Sequence, residues 1–444
     1  MYVRITRSVL ALLLLAIAVT PAVEWTSLTP SMRCGARMAF DGANHRIIMF
    51  GGCTVFFDGK YYNDVWEMRP DASVRCSWAR LAVGGTPPQE RDDVVMVYDP
   101  VGQRMVVFGG SAGLGSRLND LWALNLTAGS ETWQQLSPSG TPPSARHFCN
   151  YLYYAAGNSL IVFGGEDSVG VGDLNDVWKL ELDSLVWHHI IPSGTPPSPR
   201  MDGGAAYDSA NNQMLVFGGR PGSGFTNEVW ALHLAPGNEE WTRLSPGGNG
   251  PSARAGFAYA QGGQKLYVSC GWDGSSYFND LYALDIPSMT WSRINPGGDA
   301  PLARRNTTGA WDDVGSRFFI FGGEADRGYY LSDAHSVNCG NLGVAEWAPP
   351  RTRVSAPVLS IAGIVNGSVR IRCTVVQAGP VTVKIIDPSG RLVRRVYSGS
   401  ANAGDIDLAW DGLDEGRRAA PAGAYYCSVE TGGTTLSRKF VLTR

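Results

Sequence analysis

Phe50-Gly51-Gly52, followed at residues 63–66 by Asn-Asp-Val-Trp, is the stretch that decides the fold. Related copies of this stretch return every 52 to 58 residues along the chain. The later Gly pairs or their remnants lie at 108–110, 163–165, 217–219, 269–271 and 321–323, and the matching polar-to-aromatic segments at 119–122, 175–178, 227–230, 279–282 and 332–335. A period near fifty residues indicates a radially repeated structure.

Every copy begins upstream of its Gly pair with Pro-x-x-Arg, where the arginines are Arg33, Arg91, Arg146, Arg200, Arg254 and Arg304. Short apolar runs bounded by Gly, Asn and Asp then predict four strands per repeat, which we name a to d. Strand a follows the Arg, strand b enters the Gly pair, strand c carries Asn-Asp-Val-Trp, and strand d is Trp-x-x-Leu or Trp-x-x-Ile. We expect the Gly pair to end strand b where a side chain would crowd a neighbouring backbone or where φ is positive.

The double Gly followed by spaced aromatic residues resembles the motif of kelch-repeat proteins, and the resemblance extends over about residues 24–348. It implies an all-β fold, a six-bladed kelch β-propeller at 23–348 in which each blade has four antiparallel strands. Residues 25–28, Trp-Thr-Ser-Leu, form a strand d with no strands a to c before them, so we expect Trp25 to complete the sixth blade. Trp347 is the alternative, although two prolines follow it closely.

A different pattern follows a proline-containing linker at 349–358. Residues 381–387 and 391–396 predict a hairpin around the turn 388–390, and 369–375 and 438–442 predict further strands. With Trp-Asp-Gly at 410–412, this segment resembles the Ig-like domain of flagellar hook-capping proteins and of bacterial exported proteins. The resemblance implies a small Ig-like β-sandwich at 359–444 that serves secretion, sorting or surface attachment, or acts as a passive adaptor.

The N-terminus indicates export. Two arginines precede an apolar run at residues 9–19, and small residues follow it, as in a signal peptide that would occupy residues 1–22. The run is about half the ~20 residues that a single-span anchor, the alternative, would need. We therefore expect a secreted or cell-surface protein. A net charge of -3 gives no reason to expect nucleic acid as a partner.

The residues that support catalysis or metal binding are sparse. The six histidines are scattered over different repeat positions, and His188 and His189 face opposite sides of a strand. We interpret the acidic pairs at 92–93 and 312–313 as turn and register residues, and His147 and Cys149 as buried packing residues. No catalytic residue, metal ligand or cofactor is predicted.

Binding residues are expected in the loops. In a four-stranded blade the b–c and d–a loops emerge on one face, and here the b–c loops differ from blade to blade while the scaffold repeats. Aromatic side chains beside charged ones suit contact with a protein or a glycan. The ligand-binding candidates are Tyr61, Tyr62, Arg220, Trp272, Tyr277, Glu324 and Tyr329. We interpret the repeated Arg residues as structural.

Eight cysteines are an even number, and export permits disulfides. Cys34 and Cys53 are expected on the same face of blade one, and Cys373 and Cys427 on two strands of the Ig-like domain, so both pairs are disulfide candidates. The sequence thus predicts an exported, non-catalytic binding protein that presents its b–c and d–a loops to a protein or glycan, with contacts to a secretion or surface-attachment machinery through its C-terminal domain. The alternative is an extracellular propeller enzyme acting on a carbohydrate or small molecule.

Overall fold

The computed structural model describes residues 30–54, 59–70, 77–113, 115–167, 172–296, 300–325, 329–339, 358–365, 368–375, 379–401, 404–431 and 434–442. The secondary structure of these residues consists of strands connected by turns and loops, apart from one 3-10 turn at Ala155–Gly157. The chain divides into two compact units, Met1–Trp347 and Ala348–Arg444, each taken by itself below. Within the described ranges there is no helix long and apolar enough to cross a membrane.

In the part of the chain that the structure describes, the first unit forms six blades, one for each copy of the repeat, and their main strands pair antiparallel. Blade one contains β1 (Arg37–Asp41), β2 (Arg46–Phe50), β3 (Val65–Arg69) and β4 (Ser77–Arg80). Blade two contains β5 (Val95–Asp99), β6 (Arg104–Ser111), β7 (Arg117–Asn125) and β8 (Thr132–Leu136). Blade three contains β9 (Arg146–His147), β10 (Asn150–Tyr154), β11 (Ser159–Asp167), β12 (Asp173–Glu181) and β13 (Val186–Ile190).

The fourth and fifth blades each include an additional strand of two residues. Blade four contains β14 (Ser193–Gly194), β15 (Gly204–Asp208), β16 (Gln213–Phe217), β17 (Val229–His233) and β18 (Glu240–Leu244). Blade five contains β19 (Gly247–Gly248), β20 (Ala258–Gly262), β21 (Lys265–Ser269), β22 (Leu281–Asp285) and β23 (Thr290–Ile294). Blade six contains β24 (Thr308–Asp312), β25 (Arg317–Phe321) and β28 (Ala334–Asn338), beside a hairpin of β26 (Glu324–Ala325) and β27 (Tyr329–Tyr330).

The blades are arranged in a ring. The a strands β1, β5, β10, β15, β20 and β24 contact one another in this order, and β24 also contacts β1. Across that last junction, the backbone N–H of Met38 donates to Thr308 Oγ1 at 2.9 Å. The predicted all-β propeller is therefore confirmed. The closing strand expected from Trp25, or alternatively from Trp347, lies outside the described residues and stays a prediction.

The Gly pair is required because the next blade approaches its backbone. Gly51 has φ +72, and a Cβ on it would lie 2.6 Å from the carbonyl oxygen of Arg91. In the third blade, Gly164 has the same relation to Arg200, at 2.7 Å. Both reasons that the sequence suggested, crowding and positive φ, are confirmed at these positions.

The repeated arginine is buried and ties three segments of its blade together. Arg33 donates to Asp64 Oδ1 at 2.6 Å, to Asp64 Oδ2 at 3.1 Å and to the carbonyl of Gly51 at 3.0 Å. Burial by itself raises the pKa of Asp64, but the hydrogen bonds and charge of Arg33 outweigh it and hold that pKa below its ordinary value. The corresponding pairs are Arg91–Asp120, Arg146–Asp176, Arg200–Glu228, Arg254–Asp280 and Arg304–Asp333. The interpretation of these arginines as structural agrees with this geometry.

The polar-to-aromatic segment makes two further hydrogen bonds, one to its own Asp carboxylate and one to the next blade. Trp66 Nε1 donates to Asp64 Oδ2 at 2.7 Å, and the side-chain amide of Asn63 donates to the carbonyl of Pro88 at 3.0 Å. The equivalent Asn-to-Pro bonds join each later blade to its successor as far as Asn279 and Pro301. The first five copies of the motif therefore stabilise their own blade and also bind to the next one.

Aromatic pairs fill the interface between successive blades. Phe50 contacts Trp133 with ring centroids 5.0 Å apart, and Phe321 contacts Trp78 at 5.1 Å, so the pattern continues from blade six to blade one. The other pairs are Phe108–Trp187, Phe163–Trp241 and Phe217–Trp291. In blade five, Ser269 stands where the other blades have Phe. An apolar cavity of about 80 Å³ lies beside it, bordered by β28.

The second unit is a β-sandwich. One sheet has the order β29 (Val358–Val365), β30 (Ser368–Val375), β33 (Gly404–Trp410), and the other has the order β32 (Leu392–Ala401), β31 (Gly379–Ile386), β34 (Gly423–Thr431), β35 (Thr434–Leu442). The predicted hairpin is the β31–β32 pair. Buried Trp410 contacts Tyr425 and Phe440 in the core, and the hydroxyl of Tyr425 donates to the carbonyl of Pro421 at 2.7 Å. Such a tyrosine corner is frequent in immunoglobulin-like sandwiches.

Closure of the sixth blade can be tested with two tryptophan variants. We expect Trp25→Ala to lower the free energy of unfolding by about 3–5 kcal/mol, the usual cost of truncating a buried Trp. Trp347→Ala is the matched control, with an expected change below about 0.5 kcal/mol. Urea unfolding of the chain without residues 1–22 measures both, and a larger loss for Trp347→Ala would assign closure to the C-terminal end of the propeller.

The buried arginine can be tested in blade two. Because Arg91→Leu leaves Asp120 and the carbonyl of Gly109 without their cation, we expect a loss of about 3–5 kcal/mol in stability. Arg69→Leu removes a half-exposed arginine that pairs with Glu67 and should cost less than about 1 kcal/mol. Equal losses in urea unfolding would show that the buried pair has no special structural role.

Candidate functional site at the mouth of the channel

Six pairs of residues surround the mouth of the central channel. In each blade the residue directly after the buried Arg pairs with the residue directly after the Gly pair, as when Cys34 and Cys53 exchange backbone hydrogen bonds of 3.0 and 2.9 Å. The pairs are Cys34–Cys53, Asp92–Ser111, His147–Glu166, Met201–Arg220, Ala255–Trp272 and Arg305–Glu324. We call these twelve residues the crown. Its backbone is uniform around the ring, whereas its side chains differ in every blade.

One residue further along the chain lies an inner ring formed by Gly35, Asp93, Phe148, Asp202, Gly256 and Asn306. All six have positive φ, between 49° and 65°. Their backbones connect the blades, since Asp93 N–H donates to the carbonyl of Gly35 at 2.8 Å and Asp202 N–H to that of Phe148 at 2.8 Å. A left-handed conformation is uncommon for residues other than Gly, so the surrounding bonds must hold it in place.

A cavity of about 370 Å³ follows the central axis and is lined by a-strand residues of all six blades. Most of its wall is apolar or aromatic. Its polar part includes Arg37, Tyr151, Asp202 and Tyr259. Arg37 Nη2 lies 3.1 Å from Oδ1 of Asp93, which connects this wall to the inner ring.

The side of the mouth formed by blades two and three is acidic. His147 Nε2 hydrogen-bonds Glu166 Oε2 at 2.7 Å, and Arg117 Nη2 lies 3.1 Å from the same oxygen. The bond from His147 lowers the pKa of Glu166 to about 2, and burial lowers the pKa of His147 although Glu166 opposes that shift. The imidazole is therefore neutral at neutral pH, with its proton on Nε2. Burial raises the pKa values of the neighbouring Asp92 and Asp93 above their ordinary range.

Asp202 occupies the corresponding inner-ring position in blade four. Burial, reinforced by the negative charge of Asp93, raises the pKa of Asp202 to about 7, although Arg37, Arg220 and Arg305 act in the opposite direction. A carboxyl group with a pKa near neutrality is suited to proton transfer. Its position in the cavity wall makes it accessible to a small ligand in the channel.

The opposite side of the mouth is aromatic. Trp272 packs edge-to-face on Phe225 at 5.2 Å and lies 6.3 Å from the ring of Tyr277. The guanidinium of Arg305 stacks over Trp272 at 4.6 Å and pairs with buried Glu324 at 3.1 Å. The three aromatic side chains are all partly exposed. We call Phe225, Trp272, Tyr277 and Arg305 the aromatic sector.

The structure places the predicted binding residues at several separate positions. Trp272 and Tyr277 belong to the aromatic sector, and Glu324 pairs with its Arg305. Arg220 contacts the sulfur of Met201 at 3.9 Å elsewhere in the crown. Tyr61 lies beside Cys53 on the acidic side, where burial and the charge of Asp92 raise its pKa to about 12.

Tyr62 and Tyr329 are placed differently. The ring of Tyr62 covers the guanidinium of Arg33 at 4.0 Å, as Phe278 covers Arg254, which is a position in the scaffold. The backbone of Tyr329 pairs with Ala325, and its side chain is not among the parts that the structure describes. The ligand contacts predicted for both residues stay predictions.

Within each predicted cysteine pair, the two residues lie in the same part of their own unit. The Sγ atoms of Cys34 and Cys53 are 3.7 Å apart in the crown. Cys373 on β30 and Cys427 on β34 lie in different sheets and share the buried core of the sandwich. Both disulfides stay predictions.

Sequence reasoning did not bring Asp92, Asp93, His147 and Asp202 together as a site. The acidic pair was assigned to turns, which agrees with the positive φ of Asp93, and His147 was assigned to packing. A usable signal was nevertheless present. The two positions that follow the invariant Arg change their chemistry from blade to blade, and in blades two, three and four they carry carboxylates or imidazole.

Comparisons with known proteins agree with this fold. The model of the KLHDC2/KLHL20/DRC7 Kelch-repeats domain matches residues 15–192 and 152–358, and that of the FlgD Ig-like domain matches 362–434. Tip elongation aberrant protein 1 of Schizosaccharomyces pombe is 32% identical over 212 residues, which are 46% of this chain and 18% of that protein. Host cell factor homolog hcf-1 of Caenorhabditis elegans is 28% identical over 295 residues, covering 56% and 36% respectively. The chain therefore spans less than half the length of either relative.

A solved structure of YjhT supports the architecture alone. Its TM-score is 0.53 at 17% identity, and the match covers 69% of this chain and 95% of that one. At this identity the likeness concerns the path of the backbone and leaves the ligand open.

The raised pKa of Asp202 predicts a specific effect of pH on stability. Between about pH 4 and 7 the folded state retains a proton that the unfolded state has released, so Asp202 makes the free energy of unfolding fall as pH rises. We expect Asp202→Asn to be relatively more stable at pH 7.5 than at pH 4, compared with the unchanged chain. Urea unfolding at both pH values measures this, and a pH-independent difference would contradict the shift.

Proposed function

The chain belongs to the kelch-repeat proteins and carries a C-terminal FlgD Ig-like domain, and on this premise we propose that it is an exported binding protein that holds a protein partner at its crown and b–c loops. Kelch domains generally bind proteins. The proposal concerns which surface is used and which residues make the contacts.

The aromatic sector is the observation that carries this proposal. Tyr, Trp and Arg are the residues most often found at the energetic centres of protein interfaces. Here they lie on the loop face, and the stacking of Arg305 on Trp272 orients the cluster before a partner arrives. Pre-orientation lowers the entropy cost of binding. The guanidinium of Arg220, elsewhere in the crown, favours a partner segment with an acidic group.

A second candidate function follows from the cavity. Its volume of about 370 Å³ is in the range of small-molecule sites, and Asp202, with a pKa of about 7, lies in its wall. These features favour an enzyme that acts on a carbohydrate or another small molecule by acid–base chemistry. Turnover that disappears in Asp202→Asn, with the crown intact, would favour this alternative over a binding role.

Export and surface attachment form the remaining part of the proposal. The segment 1–22 has the composition of a signal peptide, and the Ig-like domain resembles domains of exported bacterial proteins. Expression in a Gram-negative host, followed by fractionation, compares the full chain with versions lacking 1–22 or 359–444. We expect the first deletion to retain the protein in the cytoplasm and the second to release it from the cell surface. Unchanged distribution in both would contradict the proposal.

Binding at the aromatic sector can be measured once a peptide array and a glycan array have supplied ligands. For a peptide ligand, we expect Trp272→Ala with Tyr277→Ala to weaken binding about 30-fold or more, as for hot-spot residues. Val101→Ala with Val314→Ala is the matched control, because both valines are exposed on a–b turns of the opposite face. If the control weakens binding equally, the b–c face is not the site. Ligands found on the glycan array alone would shift the assignment to a sugar.

A further inference from the structure

We propose that Asp92, Asp93 and His147 form a binding site for a divalent first-row transition-metal ion at the edge of the channel mouth. One carboxylate oxygen from each aspartate and one ring nitrogen of His147 all lie within 4.8 Å of one another. The three side chains are at least nine-tenths buried, with exposed fractions of 8%, 3% and 6%. The site is independent of whether the protein partner or the small-molecule candidate is correct.

The spacing of the donors is close to what an ion requires. Zinc binds carboxylate oxygen and imidazole nitrogen at about 2.0–2.2 Å, so donors on opposite sides of one ion are about 4 Å apart. Three donor atoms that lie at most 4.8 Å apart therefore need only small side-chain rotations to bind one ion. The backbones are already fixed, because Asp93 belongs to the inner ring and His147 to β9.

The orientation of His147 supports a metal ligand over a packing residue. Its Nε2 hydrogen-bonds Glu166 at 2.7 Å, and Nδ1 has no hydrogen-bond partner among the described residues although it is buried. A carboxylate that holds the far nitrogen of a ligating histidine is the usual outer shell of a metal site, since it fixes the tautomer and the ring. Nδ1 is thus the nitrogen left for the ion. Asp92 Oδ1 is likewise buried without a hydrogen bond in the part that the structure describes.

The local charges leave a place for a cation. Asp92, Asp93 and Glu166 supply three carboxylates, whereas Arg37 pairs with Asp93 and Arg117 with Glu166. No arginine or lysine of the described ranges forms an ion pair with Asp92. Buried carboxylates without a cation are costly, and either a proton or a metal ion removes that cost. The experiment below distinguishes these two occupants.

The donor set narrows the identity of the ion. Two carboxylates favour Mn²⁺, whereas imidazole suits Zn²⁺ and Fe²⁺, so a mixed set fits the Mn²⁺, Fe²⁺ and Zn²⁺ group better than Ca²⁺ or Mg²⁺. With three protein ligands, the remaining positions are open to water or a ligand. Mn²⁺ is the best probe, because thiolates select softer ions and the thiols of Cys34 and Cys53 interact with the two aspartates of the site.

The test is a titration of the tag-free, EDTA-treated chain without residues 1–22, using the electron paramagnetic resonance signal of free Mn²⁺. We expect about one equivalent of Mn²⁺ to bind. Asp93→Asn and His147→Gln should each weaken binding at least tenfold. Glu166→Gln, which changes only the residue that orients His147, should weaken it by about 10- to 100-fold. Zn²⁺, followed by calorimetry, should compete for the same equivalent.

Asp202→Asn is the matched control. Asp202 has the same repeat position as Asp93 and a positive φ of 61°, but Met201 precedes it where Asp92 precedes Asp93. This variant should bind Mn²⁺ within about twofold of the unchanged chain. Circular dichroism of every variant verifies folding, and Glu166→Gln provides a reading that does not alter the three donors. Absence of binding at 1 mM Mn²⁺ and Zn²⁺, or equal binding by all variants, would overturn the proposal and leave protons as the occupants.

Discussion

The propeller depends on a guanidinium group that is removed from water once in every repeat. A buried cation is tolerated only when its donors are satisfied, and Arg33 meets this condition with the Asp64 carboxylate and the carbonyl of Gly51. The backbone of the next such arginine, Arg91, is what forbids a side chain on Gly51. One residue type therefore explains why Arg, Gly-Gly and Asp occur together, and why their spacing is preserved while other positions change.

This dependence explains which features could be predicted. Local patterns define the strands, and a period near fifty defines the ring, so the all-β fold and the structural role of the arginines were accessible from sequence. The pairing of residues after the Arg and after the Gly pair was not, because it requires the register of two strands. The grouping of Asp93 with His147 was less accessible still, since these residues belong to different blades and meet only when neighbouring blades pack.

Tyr62 shows why the sequence alone does not separate binding residues from scaffold residues. An aromatic residue in a variable loop has the signature of a binding residue, yet its ring covers Arg33. Trp272 has the same signature in sequence, but the arginine that it contacts is Arg305 of the crown, whereas Arg33 is fully buried. The difference depends on where each residue lies relative to the Gly pair. Trp272 follows the pair directly, whereas Tyr62 stands just before strand c, where the polypeptide returns over the arginine.

The inner ring has a consequence for how the molecule comes apart and how its gene could be rearranged. Hydrogen bonds between these residues link five of the six pairs of neighbouring blades, including blade six to blade one through Asn306 and Gly35. At the remaining junction β20 contacts β24, so the blades form a closed hoop. Loss of any blade breaks contacts on both sides, which favours unfolding of the hoop as one cooperative unit. A hoop also has no intrinsic starting point. Circular permutation at a surface loop between blades should preserve the same neighbours, whereas deletion of a single repeat should not.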